Sequence, residues 1–435
     1  MSKVVIVGRP NVGKSALFNR LIGGRKAIVE DTPGITRDYI EGVVSWGGKE
    51  FVLIDTGGIV PDTEDEILRK IKDTVEKVIH GANLILFVVS GKEGVTPLDR
   101  EIARLLYPYK EKVLVVVNKV DVSEEESLCG ECYTLGFDRI FFVSAIHGRG
   151  VGELLDEVAG MIEGLVQKGS EEGIKLSFVG RPNTGKSSLI NAILREERVL
   201  VSPKAGTTRD AVEIPFCWEG KNFTLIDTAG VRKPSRVKYG VEFFSVGRTL
   251  EAIERSDVVC LVIDGSEGVS RQDKRLAGLI YRRYKGCVIV INKMDLCALS
   301  RKEVERIVRR ELFFLEFAPL VFTVASAGEG VQELLGSVSS VYRDYTKHHR
   351  TSFVSKAVQK LMREKPPPPY RGKEVKVYYS FQEGTRPPTV VLITNSPEGW
   401  REEYRRNFLR RLREALGIKY SPLKVLISGR EKVTV

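Results

Sequence analysis

The chain has 435 residues, 42% hydrophobic and 29% charged, the balance of a globular protein long enough for two or three domains. No run approaches the ~18–20 apolar residues of a membrane span, and the apolar start at residues 4–7 is too short for a secretory leader. A membrane protein and a secreted one are therefore not expected, and the expected home is the cytoplasm.

The six cysteines (Cys129, Cys132, Cys217, Cys260, Cys287 and Cys297) are too sparse for a disulfide scaffold. Cys129 and Cys132 lack the second pair or nearby histidine of a zinc site. The net charge of +11 is unevenly placed. Residues 348–435 hold 19 Lys and Arg against 8 Asp and Glu, whereas residues 1–347 hold 49 of each. That asymmetry points to an anionic partner for the last fifth of the chain, most naturally nucleic acid.

In chain order, the apolar run 4–7 reads as a buried strand. It leads through Gly8-Arg9-Pro10-Asn11-Val12-Gly13-Lys14-Ser15 into a helix over 14–21. Thr36-Arg37-Asp38 lies in a polar segment. A strand over 51–54 runs into Asp55-Thr56-Gly57-Gly58, and a helix is expected over 65–79. Strands over 84–89 and 113–117 follow, the second ending at Asn118-Lys119-Val120-Asp121, and then a strand over 140–143. Polar residues 167–173 read as a linker.

The series then repeats. A strand over 176–179 precedes Gly180-Arg181-Pro182-Asn183-Thr184-Gly185-Lys186-Ser187, and Thr208-Arg209-Asp210 comes next. A strand over 223–226 precedes Asp227-Thr228-Ala229-Gly230. Strands over 258–263 and 288–291 come before Asn292-Lys293-Met294-Asp295, and the last strand covers 320–324. The offset is 172 residues for the first three motifs and 174 for the fourth, the mark of a duplicated domain. The expected fold is α/β, two mostly parallel sheets with helices on both faces, over 1–166 and 174–347. Residues 348–435 read as a small α+β domain. Its helix over 351–363 is stopped by Pro366–Pro369, and strands over 374–380 and 389–394, a helix over 401–416 and a strand over 423–427 follow.

The repeated motifs carry phosphate chemistry. Gly-x-x-x-x-Gly-Lys-Ser between strand and helix is a P-loop whose backbone N–H groups cradle phosphates at the positive end of a helix. Lys14 and Lys186 would reach the β- and γ-phosphates, and Ser15 and Ser187 would ligate Mg²⁺. Asp55 and Asp227 would hold the same ion through water from strand ends. The N–H groups of Gly58 and Gly230 would face the γ-phosphate. Thr36 and Thr208 suit switch threonines that order around Mg²⁺ and that phosphate. Asn-Lys-x-Asp selects the base: the carboxylate of Asp121 or Asp295 accepts from N1–H and the 2-amino group of guanine, and adenine offers neither there. Both copies should therefore bind GTP or GDP with Mg²⁺. Ile59 and Val231 stand where water-positioning GTPases carry glutamine, so intrinsic hydrolysis should be slow.

These motifs in duplicate resemble the tandem GTPase family called Der or EngA. Ile253-Glu254-Arg255-Ser256-Asp257-Val258-Val259 and Gln272-Asp273 extend the likeness over nearly the whole chain. The resemblance implies two P-loop GTPase domains, a KH-like C-terminal domain, and a GTP-hydrolysing factor for assembly of the large ribosomal subunit, whose rRNA would be its partner. The family's guanine-supporting Ser-Ala matches Ser144-Ala145. The second copy departs, placing Val324-Ala325 there, with Ser326-Ala327 two residues on. In related potassium-activated GTPases the P-loop asparagine helps hold K⁺, and Asn11 and Asn183 match that position.

On a helical wheel of the last helix, Tyr404, Phe408, Leu409, Leu412 and Leu416 share one face. Arg406, Arg410 and Arg413 project from the other as candidate RNA contacts. The strand and helix order resembles a KH domain, but 348–435 contains no Gly-x-x-Gly, the loop that clamps single strands. Recognition of folded rRNA by charge and shape fits better. No apolar seam demands a dimer, so a monomer is expected. Two rival readings stay open: an RNA-binding scaffold holding structural GTP, and a GTPase in tRNA modification.

Overall fold

The computed structural model describes residues 1–23, 40–56, 81–121, 130–163, 173–196, 199–201, 213–226 and 246–429. The expected helix over 65–79 and all of the linker except Gly173 lie outside these residues.

Two sheets repeat one design. In the first, β1 (Ser2–Val7), β2 (Ile40–Trp46), β3 (Lys49–Asp55), β4 (Leu84–Ser90), β5 (Val113–Asn118) and β6 (Ile140–Phe142) lie in the order β2-β3-β1-β4-β5-β6. Only the β2–β3 pairing is antiparallel. Helices α1 (Lys14–Ile22), α2 (Pro97–Leu106) and α3 (Val151–Glu163) pack on it. Side chains alternate across a strand: Val4 and Ile6 enter one core with Leu17 and Leu154, and Val5 and Val7 enter the other with Ile102. Both faces are dry, which is why β1 and β4 read as continuous apolar runs. Each buried Val or Ile contributes about 1.5–3 kcal/mol.

The second sheet holds β7 (Ile174–Val179), β8 (Val199–Val201), β9 (Ile214–Trp218), β10 (Lys221–Leu225), β11 (Val258–Asp264), β12 (Gly286–Asn292) and β13 (Leu320–Phe322). Its order is β13-β12-β11-β7-β10-β9-β8. Around it lie α4 (Lys186–Arg195), α5 (Val246–Arg255), α6 (Arg271–Arg282), α7 (Arg301–Glu311) and α8 (Val331–Tyr345). Strand β2, at the edge of the first sheet, and β9, one in from the edge of the second, have no counterpart in the sequence reading. They bury alternate residues rather than runs, and Gly42 interrupts β2 because a Cβ there would meet Ile22 Cδ1 at 2.2 Å.

The third unit contains α9 (Thr351–Glu364), β14 (Val377–Gly384), β15 (Thr389–Thr394), α10 (Glu402–Ala415) and β16 (Lys424–Gly429). Strand β15 is central, antiparallel to β14 and parallel to β16. The first strand begins at Val377 rather than at 374. Val390 and Leu392 face α9 and α10 in a core with Phe408 and Leu412.

This unit touches both sheet domains. Asp156 on α3 accepts from Thr351 N at 2.7 Å and from Trp46 Nε1 at 2.8 Å. The Trp46 ring stacks on Phe381 at 5.7 Å, and Tyr379 accepts from Gly152 N at 3.2 Å while donating to Glu153. On the other side Asp344, near the end of α8, accepts from the backbone N–H groups of Lys419 and Tyr420, both at 2.8 Å. Asp344 is buried, so its loss strands two donors. Hydrogen bonds to charged groups are worth about 1.5–3 kcal/mol each. Asp344→Ala should therefore weaken the seam by about 3 kcal/mol and bring proteolysis between residues 345 and 351 to lower urea concentration.

Candidate functional site

Both P-loops begin where a central strand ends and a helix starts. In the first, Asn11 and Gly13 adopt left-handed backbone, φ 64° and 91°; in the second, Asn183 and Gly185 do the same at 63° and 91°. Gly13 is required twice over, since a Cβ there would also lie 2.4 Å from Asn118 Nδ2; at Gly185 the gap to Asn292 Nδ2 is 2.2 Å.

Those asparagines tie three loops together. Asn118 donates from Nδ2 to Val12 O at 2.9 Å and accepts at Oδ1 from Ala145 N at 3.0 Å. Asn292 donates to Thr184 O at 2.9 Å and accepts from Ala325 N at 3.1 Å and from Thr323 Oγ1 at 3.0 Å. Both are buried. Thr184 is held further by its own hydroxyl donating to Arg181 O at 3.1 Å. The second copy thus brings Ala325, not Ser326-Ala327, to the place of Ala145, and the backbone bridges Ser144–Arg149 and Val324–Glu329 correspond.

The phosphate end is equally ordered. Lys14 Nζ donates to Arg9 O at 2.8 Å, and Lys186 Nζ donates to Arg181 O at 2.6 Å and Gly180 O at 3.0 Å. Burial pushes the Lys14 amine down, against the pull of Asp55. Ser15 Oγ donates to Asp55 Oδ2 at 3.0 Å. One hydroxyl and one carboxylate side by side suit Mg²⁺, which takes oxygen ligands and completes its shell with phosphate and water. Thr56 Oγ1 donates to Ile6 O at 2.7 Å, tying the start of its motif to β1. Pro10 is partly buried, whereas Pro182 and Ser187 are exposed. Thr36, Gly57, Gly58, Ile59, Thr208, Asp227, Thr228, Ala229, Gly230 and Val231 lie outside the described residues.

At the base end the copies differ. Asp121 accepts from Ser144 Oγ at 2.8 Å and from Lys92 Nζ at 2.9 Å. Partial burial pushes its carboxyl up, but the bonds from Lys92 and Ser144 outweigh that and hold it below the ordinary value. Val120 beside it is buried. Asp295 is exposed and Met294 partly buried; Val324 has no hydroxyl to offer Asp295. Lys119 and Lys293 both take left-handed backbone. Lys119 pairs with Glu93 at 2.9 Å, whereas Lys293 pairs with Asp264 at 2.7 Å.

Sequence reasoning missed the acidic residues behind the P-loop arginines. Arg9 pairs with Glu93 at 2.7 Å and donates to buried Asp99 at 3.2 Å. Arg181 pairs with Glu267 at 2.7 Å and with buried Asp273 at 3.1 Å. Each aspartate also closes a capping box, with Thr96 or Ser270. The signal available was the repeat itself, Glu-Gly-Val-[Thr/Ser]-x-x-Asp at an offset of 174 residues. In the first copy a single carboxylate, Glu93, holds both Arg9 of the phosphate loop and Lys119 of the base loop.

Asn118→Ala would leave Val12 O and Ala145 N without their partner. Guanine nucleotide affinity of the first site, measured with a fluorescent GDP analogue in a Lys186→Ala background, should fall about 10–100-fold, the equivalent of one or two lost hydrogen bonds. Hydrogen bonds from Lys119 and Arg9 lower the Glu93 carboxyl from its ordinary 4.5 to about 2. A depressed carboxyl stabilises the fold above its unfolded value and loses that contribution as pH falls through the folded one. The stability gap between the wild type and Glu93→Gln should be full above pH 4.5 and vanish as pH approaches about 2, in acid titrations followed by circular dichroism.

A family model described as 50S ribosome-binding GTPase matches residues 3–119 and again 175–293. One described as the KH-domain-like C-terminal domain of EngA bacterial GTPase enzymes matches 349–427. Similar proteins include GTPase Der of Aquifex aeolicus (strain VF5), 64% identical over 430 residues with 99% of each chain covered. GTPase Der of Sulfurihydrogenibium sp. (strain YO3AOP1) is 48% identical over 441 residues, again covering 99% of each. Among solved structures, the G domain of the T. maritima FeoB iron transporter matches 37% of this chain and 99% of its own at 29% identity, with a TM-score of 0.28. Two domains of one GTPase family followed by an EngA-type KH-like domain, with full-length relatives at this identity, leave one assignment: the chain belongs to the Der (EngA) family of tandem GTPases.

Proposed function

We propose that this GTPase acts in assembly of the large ribosomal subunit, and that nucleotide state sets how its domains pack and whether it docks on rRNA. The observation that carries the reading is the seat of the KH-like domain. Through Asp156 and Tyr379 it meets the first GTPase domain, and through Asp344 it meets the second. A change of loop order in either GTPase domain is thereby within reach of the basic domain. No helix among the described residues is long and apolar enough to cross a membrane.

For hydrolysis, Lys14 and Lys186 hold the β- and γ-phosphates while the P-loop N–H groups spread the charge. Ser15 with Asp55, and Ser187 with Asp227, would hold Mg²⁺, with Thr36 and Thr208 as further ligands, and the N–H groups of Gly58 and Gly230 would serve the γ-phosphate. When bound, Mg²⁺ would supply positive charge against the phosphates. Ile59 and Val231 cannot polarise water, which argues for slow intrinsic turnover. Asn11 and Asn183, which are exposed, are the residues we assign to K⁺, where further positive charge would help. Turnover should rise severalfold when K⁺ replaces Na⁺; equal rates would remove K⁺ from the mechanism.

The RNA surface narrows. Arg406 and Arg410 are exposed on α10, Arg406 beside Glu402 one turn away. Arg413 is turned inward instead: its side chain is 15% exposed, near Glu316, with its guanidinium 5.4 Å from the centre of the Phe317 ring. We assign it to the domain seam, and Arg406 and Arg410 to RNA. Co-sedimentation with purified large subunits should be strong with a non-hydrolysable GTP analogue and weak with GDP. Arg406→Glu with Arg410→Glu should weaken it and flatten its salt dependence by about two phosphate contacts. Binding that ignores nucleotide would instead favour the scaffold reading.

A further inference from the structure

The duplication allows the two GTPase domains to be compared at equivalent places. Trp46 ends β2, and 172 residues on Trp218 ends β9. In the first domain the indole N–H donates to Asp156 on α3, and the ring is covered by Phe381 and by His348, whose ring lies 6.2 Å away. In the second domain Gly336 on α8 holds the place of Asp156, and Ser339 that of Ala159, counting from Val331 and Val151 at the two helix starts. Glycine offers no acceptor at that place, and a cavity of about 490 Å³ stands there.

The lining of that cavity has a definite chemistry. Trp218 is 4% exposed and Ser339 8%, yet Trp218 Nε1 and Ser339 Oγ find no partner among the described residues. Both line the cavity, together with the apolar side chain of Ile174 and the cations Lys221, Arg343 and Arg386. Arg386 belongs to the KH-like domain and donates to Tyr342 OH at 2.8 Å. Glu219 is the acidic residue of the lining. Buried donors without acceptors are rare in folded proteins, and sites for small molecules are typically apolar hollows of this size with a few convergent polar groups.

We propose that this cavity is a binding site for a small organic anion, an aromatic carboxylate or phosphate ester whose head supplies the acceptor that Asp156 provides in the first domain. The head accepts from Trp218 Nε1 and Ser339 Oγ beneath Arg343 and Arg386, and the ring lies along Ile174 and the indole. The site is separate from both P-loops and sits on the seam between the second GTPase domain and the KH-like domain.

The test uses the full chain labelled with ¹⁵N at tryptophan, of which it has three, with the Trp218 indole resonance assigned by its loss in Trp218→Phe. The probes are benzoate, phenyl phosphate and inorganic phosphate. The Trp218 N–H resonance should move downfield and saturate with one of the two organic anions, while Trp46, already bonded to Asp156, stays in place. Which of the two saturates it identifies the head group. A Cβ at Gly336 would meet only Trp218 Cη2, at 3.9 Å, so Gly336→Asp fits without displacing backbone and puts a carboxylate into the cavity. That variant should retain GTP turnover and its melting temperature and lose the response at least about tenfold, while Ser339→Ala, short of one hydrogen bond, loses about fivefold. An unmoved Trp218 resonance, a response surviving in Gly336→Asp, or saturation by inorganic phosphate alone as tight as by the organic probes would overturn the proposal.

Discussion

In each GTPase domain a single buried carboxamide carries the geometry of the nucleotide site. Asn118 and Asn292 spend both ends of the side chain on backbone groups of other loops, the amide nitrogen on a P-loop carbonyl and the oxygen on the N–H of an alanine after the last strand. Neither backbone group has a helix or sheet partner of its own there. The asparagine therefore converts three loop ends into one rigid edge, and it does so at a separation that only glycine at 13 and 185 permits. Base recognition and phosphate recognition are coupled before any ligand arrives, which is what a preorganised site requires.

The sheets make that edge possible and also limit it. Parallel strands buried on both faces end together, so motifs far apart in sequence meet at one rim. Inside the rim the copies keep identical roles; outside it they diverge. Glu93 holds both Arg9 and Lys119, whereas in the second copy the same two tasks fall to Glu267 and Asp264. Lys92 and Ser144 brace Asp121, whereas Asp295 stands exposed beside a loop whose valine has no hydroxyl. Duplication preserved the backbone scaffold and left the surrounding charges free to specialise.

Much of this was legible in the sequence because it rests on local patterns. Central strands are continuous apolar runs, P-loops need glycine at fixed spacing, and the repeat offset aligned the copies. What the sequence withheld depends on contacts across space. Strands β2 and β9, at or next to a sheet edge, bury alternate residues and carry no run to read. Counting aligned Ala325 with Ala145, but the bond from Ala325 N to Asn292 that seats the loop is a contact across space. Arg413 shares a helical face with other arginines by count, but the angle at which α10 meets the second GTPase domain turns it toward Phe317. Asp99 and Asp273 look like ordinary helix starts until the arginine of the P-loop is seen above them.

The stacking of Trp46 on Phe381 has a consequence in time as well as in space. During synthesis the first GTPase domain is complete at the end of α3, residue 163, but the ring that covers Trp46 belongs to residue 381. At ~5–20 residues per second, the intervening stretch of about 220 residues takes roughly 10–40 s to emerge. For that interval the nascent first domain presents an uncovered indole face, and an Asp156 bonded by Trp46 but not yet by Thr351, to the crowded surroundings of the ribosome that is making it. The KH-like domain, translated after both GTPase domains, is what ends this exposure.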